Sequence, residues 1–289
     1  MTKMYDIMWL ESVDSTNSEA KRRISDIDNL SVLSALSQSE GRGQKGNKWS
    51  SVPGENLTFS IVLKFGEQTA GKAGLSVAGE LRLAVTAREQ FVLTEITSLS
   101  IVEFLSRHGI KAKIKWPNDI YVGDKKICGV LIENSLRGKN LSSSIIGIGL
   151  NVKQRNFDVN LPNPTSMILE TGIEEDIRSC LEEFMDIFQG YLLAASASGP
   201  NRSLSGPELC LPNLRERYLS YLWRHNTPAR YIDQTFQSQP LQTDSEGELK
   251  GREFTGVIRG LSPIGHLMVE DIEKGELKEF AFKEISYIL

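Results

Sequence analysis

Two apolar runs constrain this chain more than any other feature. Lys126-Ile127-Cys128-Gly129-Val130-Leu131-Ile132-Glu133 is strand-like and carries an internal glycine. Ser143–Val152, ending in Gly147-Ile148-Gly149-Leu150-Asn151-Val152, carries two. A glycine inside a strand weakens it and often marks the close approach of a ligand or another backbone. For either run alone, a bulge or tight packing is the simpler explanation. Two such runs near a basic loop predict a slot walled by sheet.

Other strands are expected at Tyr5–Leu10, Ser31–Ser37, Lys111–Trp116 and Ile120–Val122. In a further one Leu57, Phe59, Ile61 and Leu63 alternate with Thr58, Ser60 and Val62, the period-two signal of a strand. Gly123-Asp124 reads as a hairpin turn. A helix is expected from Thr16 to about Asp26, opened by a Thr16/Glu19 capping box. A second runs from about Glu89 to His108, with Val92, Ile96, Leu99 and Val102 on one face and Gly109 ending it. Two more cover about Glu174–Ala195 and Glu208–Arg224. Gly66–Arg88 reads as an inserted loop, and Ser196–Gly206 as a flexible Ser/Gly/Pro-rich connection.

After His225 the texture changes. Short strands recur at Ala229–Phe236, Phe254–Gly260, His266–Val269, Glu279–Phe282 and Ile285–Ile288, punctuated by Gly247, Gly260, Gly265 and Gly275. This predicts a small all-β barrel. The expected fold is therefore α/β (α+β): a mixed-sheet domain over residues 1–225, then a β-barrel domain over 226–289.

Charge and cysteine content exclude several classes. Lys plus Arg number 33 and Asp plus Glu 37, a net charge of −4, which argues against a basic nucleic-acid binder. Cys128, Cys180 and Cys210 form no C-x-x-C or Cys/His spacing, so neither a disulfide framework nor a structural zinc is expected, and a reducing cytoplasm is. Met1–Leu10 has no apolar h-region, and no apolar run reaches membrane-spanning length, so neither a signal peptide nor membrane association is expected.

Gly41-Arg42-Gly43-Gln44-Lys45-Gly46 matches G-x-G-x-x-G literally. The dinucleotide reading needs a helix directly after it, and here a polar stretch and then a strand follow. No kinase motif follows either. Glycines nevertheless let backbone N–H groups approach an anion, and Arg42, Lys45 and Lys48 place three cations within seven residues. On these grounds an anion cradle and a solvated basic turn weigh equally. Lys115-Trp116-Pro117-Asn118-Asp119 ends a strand with Ala112, Ile114 and Trp116 on one side and Lys115 on the other; Pro117 stops the ladder. A surface lysine beside a buried tryptophan is the bland explanation. His108, His225 and His266 read as surface or loop residues, and Cys128 as a core residue.

Taken together and in order, Ser15-Thr16-Asn17, Gln38 with Gly41-Arg42-Gly43 through Trp49, Lys115-Trp116-Pro117-Asn118-Asp119, and Gly129-Val130-Leu131-Ile132-Glu133 with Gly147 to Val152 resemble the biotin–protein ligases. The resemblance is clear over roughly residues 10–155. Beyond that, Gly256 to Leu267 resembles the family's small C-terminal barrel. It implies ATP-dependent activation of biotin to biotinyl-5′-AMP, with ATP and Mg²⁺, followed by transfer to a lysine of a biotin carboxyl carrier domain. Two anions must meet in the first step, so cationic shielding is the expected source of catalysis.

By the same resemblance Ser15, Thr16, Asn17 and Gln38 hold the biotin head group. Gly41, Arg42 and Gly43 wrap its carboxylate and the α-phosphate. Lys115, with Arg42, is catalytic. Gly129, Gly147 and Gly149 line the biotin slot. Arg42, Gln44, Lys45, Trp49, Asn118 and Asn151 serve the nucleotide, with Trp49 packing under or beside the loop, and Asp119 lies near Mg²⁺. Many relatives carry Arg where this chain has Gln44, which implies weaker retention of the intermediate unless Lys45 or Lys48 compensates. Ile285–Leu289 lack a basic residue that some relatives have. The fourteen residues before Ser15 cannot hold the helix-turn-helix of repressor-type relatives, so a ligase without a transcriptional role is expected. Relatives occur as monomers and as sheet-to-sheet dimers, so a homodimer is a possible state. The rival readings are a lipoate–protein ligase or octanoyl transferase and a non-catalytic biotin-binding module; Lys115–Asp119 favours the first reading over the former and Arg42 with Lys115 over the latter.

Overall fold

The computed structural model describes residues 3–65, 85–197, 214–235 and 251–288, the side chains of Lys45 and Ala197 excepted. Its elements are β1 (Asp6–Val13), α1 (Thr16–Arg22), β2 (Ser31–Gln38), β3 (Asn56–Lys64), α2 (Phe91–Arg107), β4 (Lys113–Lys115), β5 (Asp119–Val122), β6 (Lys125–Arg137), β7 (Asn140–Asn151), α3 (Met167–Thr171), α4 (Ile177–Ala197), α5 (Leu214–Tyr221), β8 (Pro228–Asp233), β9 (Arg252–Leu261), β10 (Leu267–Asp271), β11 (Glu276–Phe280) and β12 (Ile285–Tyr287). They form two compact units that divide between Arg215 and Glu216.

The first unit is built on a seven-stranded sheet in the order β1-β2-β3-β7-β6-β5-β4. β1 and β2 run parallel; every other pairing is antiparallel. The two faces do different work. Phe59 of β3 meets Phe184 of α4 at 5.4 Å between ring centroids, and Phe184 meets Phe104 of α2 at 6.4 Å. That face is the main apolar core. On the opposite face Ala20 of α1 packs with Leu33, Val62 and Ile145, which leaves room beside α1 for the glycines of β6 and β7.

Register brings the sequence motifs into one line. Leu10, Ala35, Thr58, Gly149, Gly129, Asp119 and Lys115 are successive cross-strand partners from β1 to β4. Directly opposed residues present their side chains to the same face, so the Lys115–Asp119 motif and the strand glycines share one surface.

Several expectations need correction. α1 ends at Arg22, and its N-cap is Ser15 in extended conformation. Thr16 is already helical and Glu19 pairs with Arg22 and Arg23, so no capping box forms. α2 buries Leu93 completely while Val92 is half-buried, because the helix is covered on more than the one face read from spacing. α4 begins at Ile177, where the Asp176 carboxylate accepts the Ser179 N–H at 2.9 Å; that cap explains the later start. α3 was not foreseen. His108 is no loose surface residue. Its Nδ1 lies 2.9 Å from Glu175 and its Nε2 3.1 Å from Glu183, clasping the end of α2 to α4. Residues 66–84 and 198–213, which carry most of the two segments read as loops and also Cys210, lie outside the described residues.

The second unit is a five-stranded antiparallel sheet in the order β11-β10-β9-β8-β12, the small β unit the texture predicted. Tyr231, Phe254 and Phe280 form its aromatic core, with centroid separations of 5.8 and 6.0 Å. α5 leads into Leu222 and the buried Trp223, whose ring meets Tyr287 at 5.6 Å. The division therefore falls ten residues before the His225 boundary read from texture.

Candidate active site

The face of the sheet that carries α1 has a glycine floor at its centre. Gly149 and Gly129 face each other across β7 and β6, and Leu131 faces Gly147 one step further along. Their missing side chains are used. A Cβ at Gly149 would overlap the Trp49 indole, and one at Gly129 would lie 3.1 Å from the same ring. A Cβ at Gly147 would overlap the Asn17 carboxamide. The close approach predicted by the strand glycines is thus made, among the described residues, by Trp49 and Asn17.

One end of the floor is polar and buried. Ser15, Thr16 and Asn17 at the start of α1 are each under 5 % exposed. Gln38 Oε1 accepts the Thr16 N–H at 2.8 Å. Ser60 Oγ donates to Asn17 Oδ1 at 2.6 Å and lies 2.8 Å from Thr16 Oγ1. Asn17 Nδ2 donates to Glu133 Oε2 at 2.8 Å and to the Leu131 carbonyl at 3.3 Å. Beside α1, the Arg22 guanidinium holds the Asp14 carboxyl well below the usual carboxylate range.

The Gln38–Trp49 loop closes on itself. Trp49 N–H donates to the Gly41 carbonyl at 2.9 Å and Gly43 N–H to the Asn47 carbonyl at 2.7 Å, while Arg42 and Lys48 form a β-bridge. A Cβ at Gly41 would overlap the Trp49 carbonyl, so this position takes only glycine. Arg42 reaches Glu133 with Nη2 at 2.9 Å from Oε1 and Nη1 at 3.3 Å from Oε2. Gln44 Oε1 and Trp49 Nε1 are buried without a hydrogen-bond partner among the described residues. Such orphans are rare enough to need an explanation; a bound polar ligand would supply it.

The other end is cationic. Lys126 bends back over the floor, its Nζ 3.2 Å from where a Gly129 Cβ would stand and 5.8 Å from the Trp49 ring centroid. It pairs with Asp119 Oδ1 at 2.7 Å. Lys115 is further out. It stands two strands from Gly129 in the same row, about 10 Å at ordinary strand spacing, with Nζ donating to Tyr121 Oη at 3.0 Å. Nothing in the sequence marks Lys126 or Glu133, the first and last residues of the apolar run, as site residues; only the register reveals what they face.

Two expected nucleotide residues are committed to the protein itself. Asn118 Nδ2 donates to the Val130 carbonyl, and Asn118 O accepts the Val130 N–H at 3.2 Å. Asn151 Nδ2 donates to the Thr165 carbonyl at 2.8 Å. No group of three or more His, Cys, Asp or Glu among the described residues is arranged to hold a metal ion. A magnesium ion is instead commonly carried by substrate phosphates with one or two carboxylates; Asp119, expected near magnesium, pairs here with Lys126 at 2.7 Å. No helix among the described residues is long and apolar enough to cross a membrane.

The chain is similar to known proteins along most of its length. Residues 9–151 match the model of the biotin/lipoate A/B protein ligase family. A bifunctional ligase/repressor BirA of Salmonella typhimurium is 30 % identical over 280 residues, covering 96 % of this chain and 72 % of that protein. The same-named protein of Escherichia coli is 30 % identical over 169 residues, covering 58 % of this chain and 47 % of its own length. The chain thus spans between about half and three quarters of these two relatives. Among solved structures, a biotin protein ligase from Aquifex aeolicus in complex with biotin and ATP superposes with a TM-score of 0.67 at 25 % identity, over 97 % of each chain.

Proposed function

The chain belongs to the biotin/lipoate protein ligase family, among its biotin–protein ligases, and we propose that it activates biotin with ATP and transfers it to a lysine of a biotin carboxyl carrier domain. The observation that carries this reading is the glycine floor, with a buried hydrogen-bonding end at Thr16, Asn17 and Ser60 and a cationic end at Lys126. A flat ureido ring with donors and an acceptor suits the first end, and a carboxylate meeting a phosphate suits the second.

In the first step a biotin carboxylate oxygen attacks the α-phosphorus of ATP, and the bond to the bridging oxygen breaks, releasing pyrophosphate. No proton is transferred, so no general base is needed. What the site must supply is shielding between anions, and preorganised cations in a water-poor site supply it best. Lys126, over the floor, is suited to this role; Arg42, from the margin, and Lys115, from the outer strand, add charge. Asp119 would help to hold magnesium, whose charge would offset that of the phosphates. The backbone N–H groups of Gly41 and Arg42 are suited to the phosphate oxygens, the Gly43 N–H being engaged by the Asn47 carbonyl. In the second step a neutral lysine amine of the acceptor attacks the acyl carbon of the adenylate, AMP leaves, and the amine gives up a proton.

Incubation with biotin, ATP, magnesium and an isolated carrier domain should add one biotin to the domain, read as a mass increase and a streptavidin shift. A carrier domain whose acceptor lysine is replaced by arginine should stay unmodified. Modification of neither domain would contradict the transfer step.

A further inference from the structure

Resting on the proposed activation of biotin, we propose that Glu133 is a positioning residue that anchors the Arg42 guanidinium, and with it the glycine loop, to the sheet beside Asn17. Its carboxylate does two things at once. Oε1 accepts from Arg42 Nη2 at 2.9 Å, and Oε2 lies 3.3 Å from Nη1 and 2.8 Å from Asn17 Nδ2. Asn17 is itself fixed, by Ser60 and by the Leu131 carbonyl, in the space that Gly147 leaves. Glu133 is therefore mounted on the sheet and on the start of α1, and from that mount it holds the arginine of the glycine loop.

Three physical points support this role over a merely structural one. The ion pair is solvent-facing, with Arg42 44 % and Glu133 29 % exposed, and such pairs add little to folding stability. A forked guanidinium–carboxylate contact fixes orientation as well as distance; here it uses Nη1 and Nη2 and leaves the Nε edge for a second anion. Finally, a half-buried carboxylate beside the buried Asn17 amide is costly unless its oxygens are engaged by donors. Glu133 is tolerable there because both its oxygens are so engaged. The same contacts tie Asn17, expected at the biotin head group, to Arg42, expected at the carboxylate and phosphate.

The test compares Glu133→Ala and Glu133→Gln with Arg42→Ala and the double variant Arg42→Ala/Glu133→Ala, reading biotin-dependent pyrophosphate release. A misplaced catalytic group costs on the order of 10²-fold. Glu133→Ala should lower kcat by about that factor with KM for biotin nearly unchanged and the melting temperature preserved. In the Arg42→Ala background the same change should cost nothing further, because coupled residues are not additive. Wild-type kcat in Glu133→Ala, or additive losses, would overturn the proposal. A second readout does not depend on activity: trypsin should cut between Arg42 and Lys48 faster in Glu133→Gln than in the parent, and equal rates would overturn it. A parent protein that releases no pyrophosphate with biotin would contradict the ligase reading instead, and the tryptic comparison would then decide the placement of Arg42 alone.

Discussion

The Trp49 indole rests against Gly149 and Gly129, two glycines that face each other across the central strands β7 and β6. One aromatic ring thus covers the surface on which a flat ligand would lie. The loop that carries Trp49 and the floor it covers form a single device. Gly149→Ala would push the ring off the floor and raise the floor itself. Overpacking of this kind costs about 1–3 kcal/mol of stability, and the displaced ring and raised floor should lower biotin affinity while the fold persists. Titration calorimetry checks this; unchanged affinity would place the ligand elsewhere.

The two lysines near the floor should not be equivalent. Lys126 lies over Gly129, whereas Lys115 is two strands away with its amine on Tyr121. Lys126→Ala should lower adenylate formation by about 10²–10³-fold, the cost of losing one preorganised donor at developing charge. Lys115→Ala should cost less. Single-turnover kinetics of biotinyl-5′-AMP formation separate the two, and the reverse ranking would return the central role to Lys115.

Stability should depend on the aromatic stack under the opposite face of the sheet. Phe184 is fully buried and meets Phe59, Phe104 and Phe188. Phe184→Ala should destabilise by about 3–5 kcal/mol, read from urea unfolding, and should impair both steps of the reaction only through loss of folded protein.

Thiol chemistry gives a pH dependence. Burial, reinforced by Glu175, Glu183 and Asp176, pushes the Cys180 thiol from 9.0 up to about 12, and burial also raises that of Cys128. A raised value in the folded state means that the neutral thiol favours folding. That contribution is complete below pH 9 and is lost as the pH rises towards 12. The fall in melting temperature between pH 8 and pH 10.5 should therefore be smaller in Cys180→Ala than in the parent. In the native protein at pH 8, iodoacetamide should leave Cys128 and Cys180 unmodified, as peptide mass spectrometry would show.

Much of this arrangement is legible from residues alone. The strand glycines announced the floor because their cost in a strand needs compensation, and the alternation at Leu57–Leu63 located β3. Lys126 and Glu133 were not legible as site residues, since their roles come from register: Gly129 opposite Gly149, and Glu133 two residues beyond Leu131 on the same face. The His108 clasp joins residues 67 and 75 positions apart, a relation no local spacing encodes. The Thr16/Glu19 signal misled because Arg22 and Arg23 outcompete the backbone for the Glu19 carboxylate.

On this account biotin is activated on the glycine floor. Pyrophosphate release from ATP by the purified chain, with biotin, with lipoate and with neither, tests it without any acceptor protein. Release that requires biotin and is absent with lipoate is the predicted result. Release with lipoate but not biotin, or with neither acid, would contradict it.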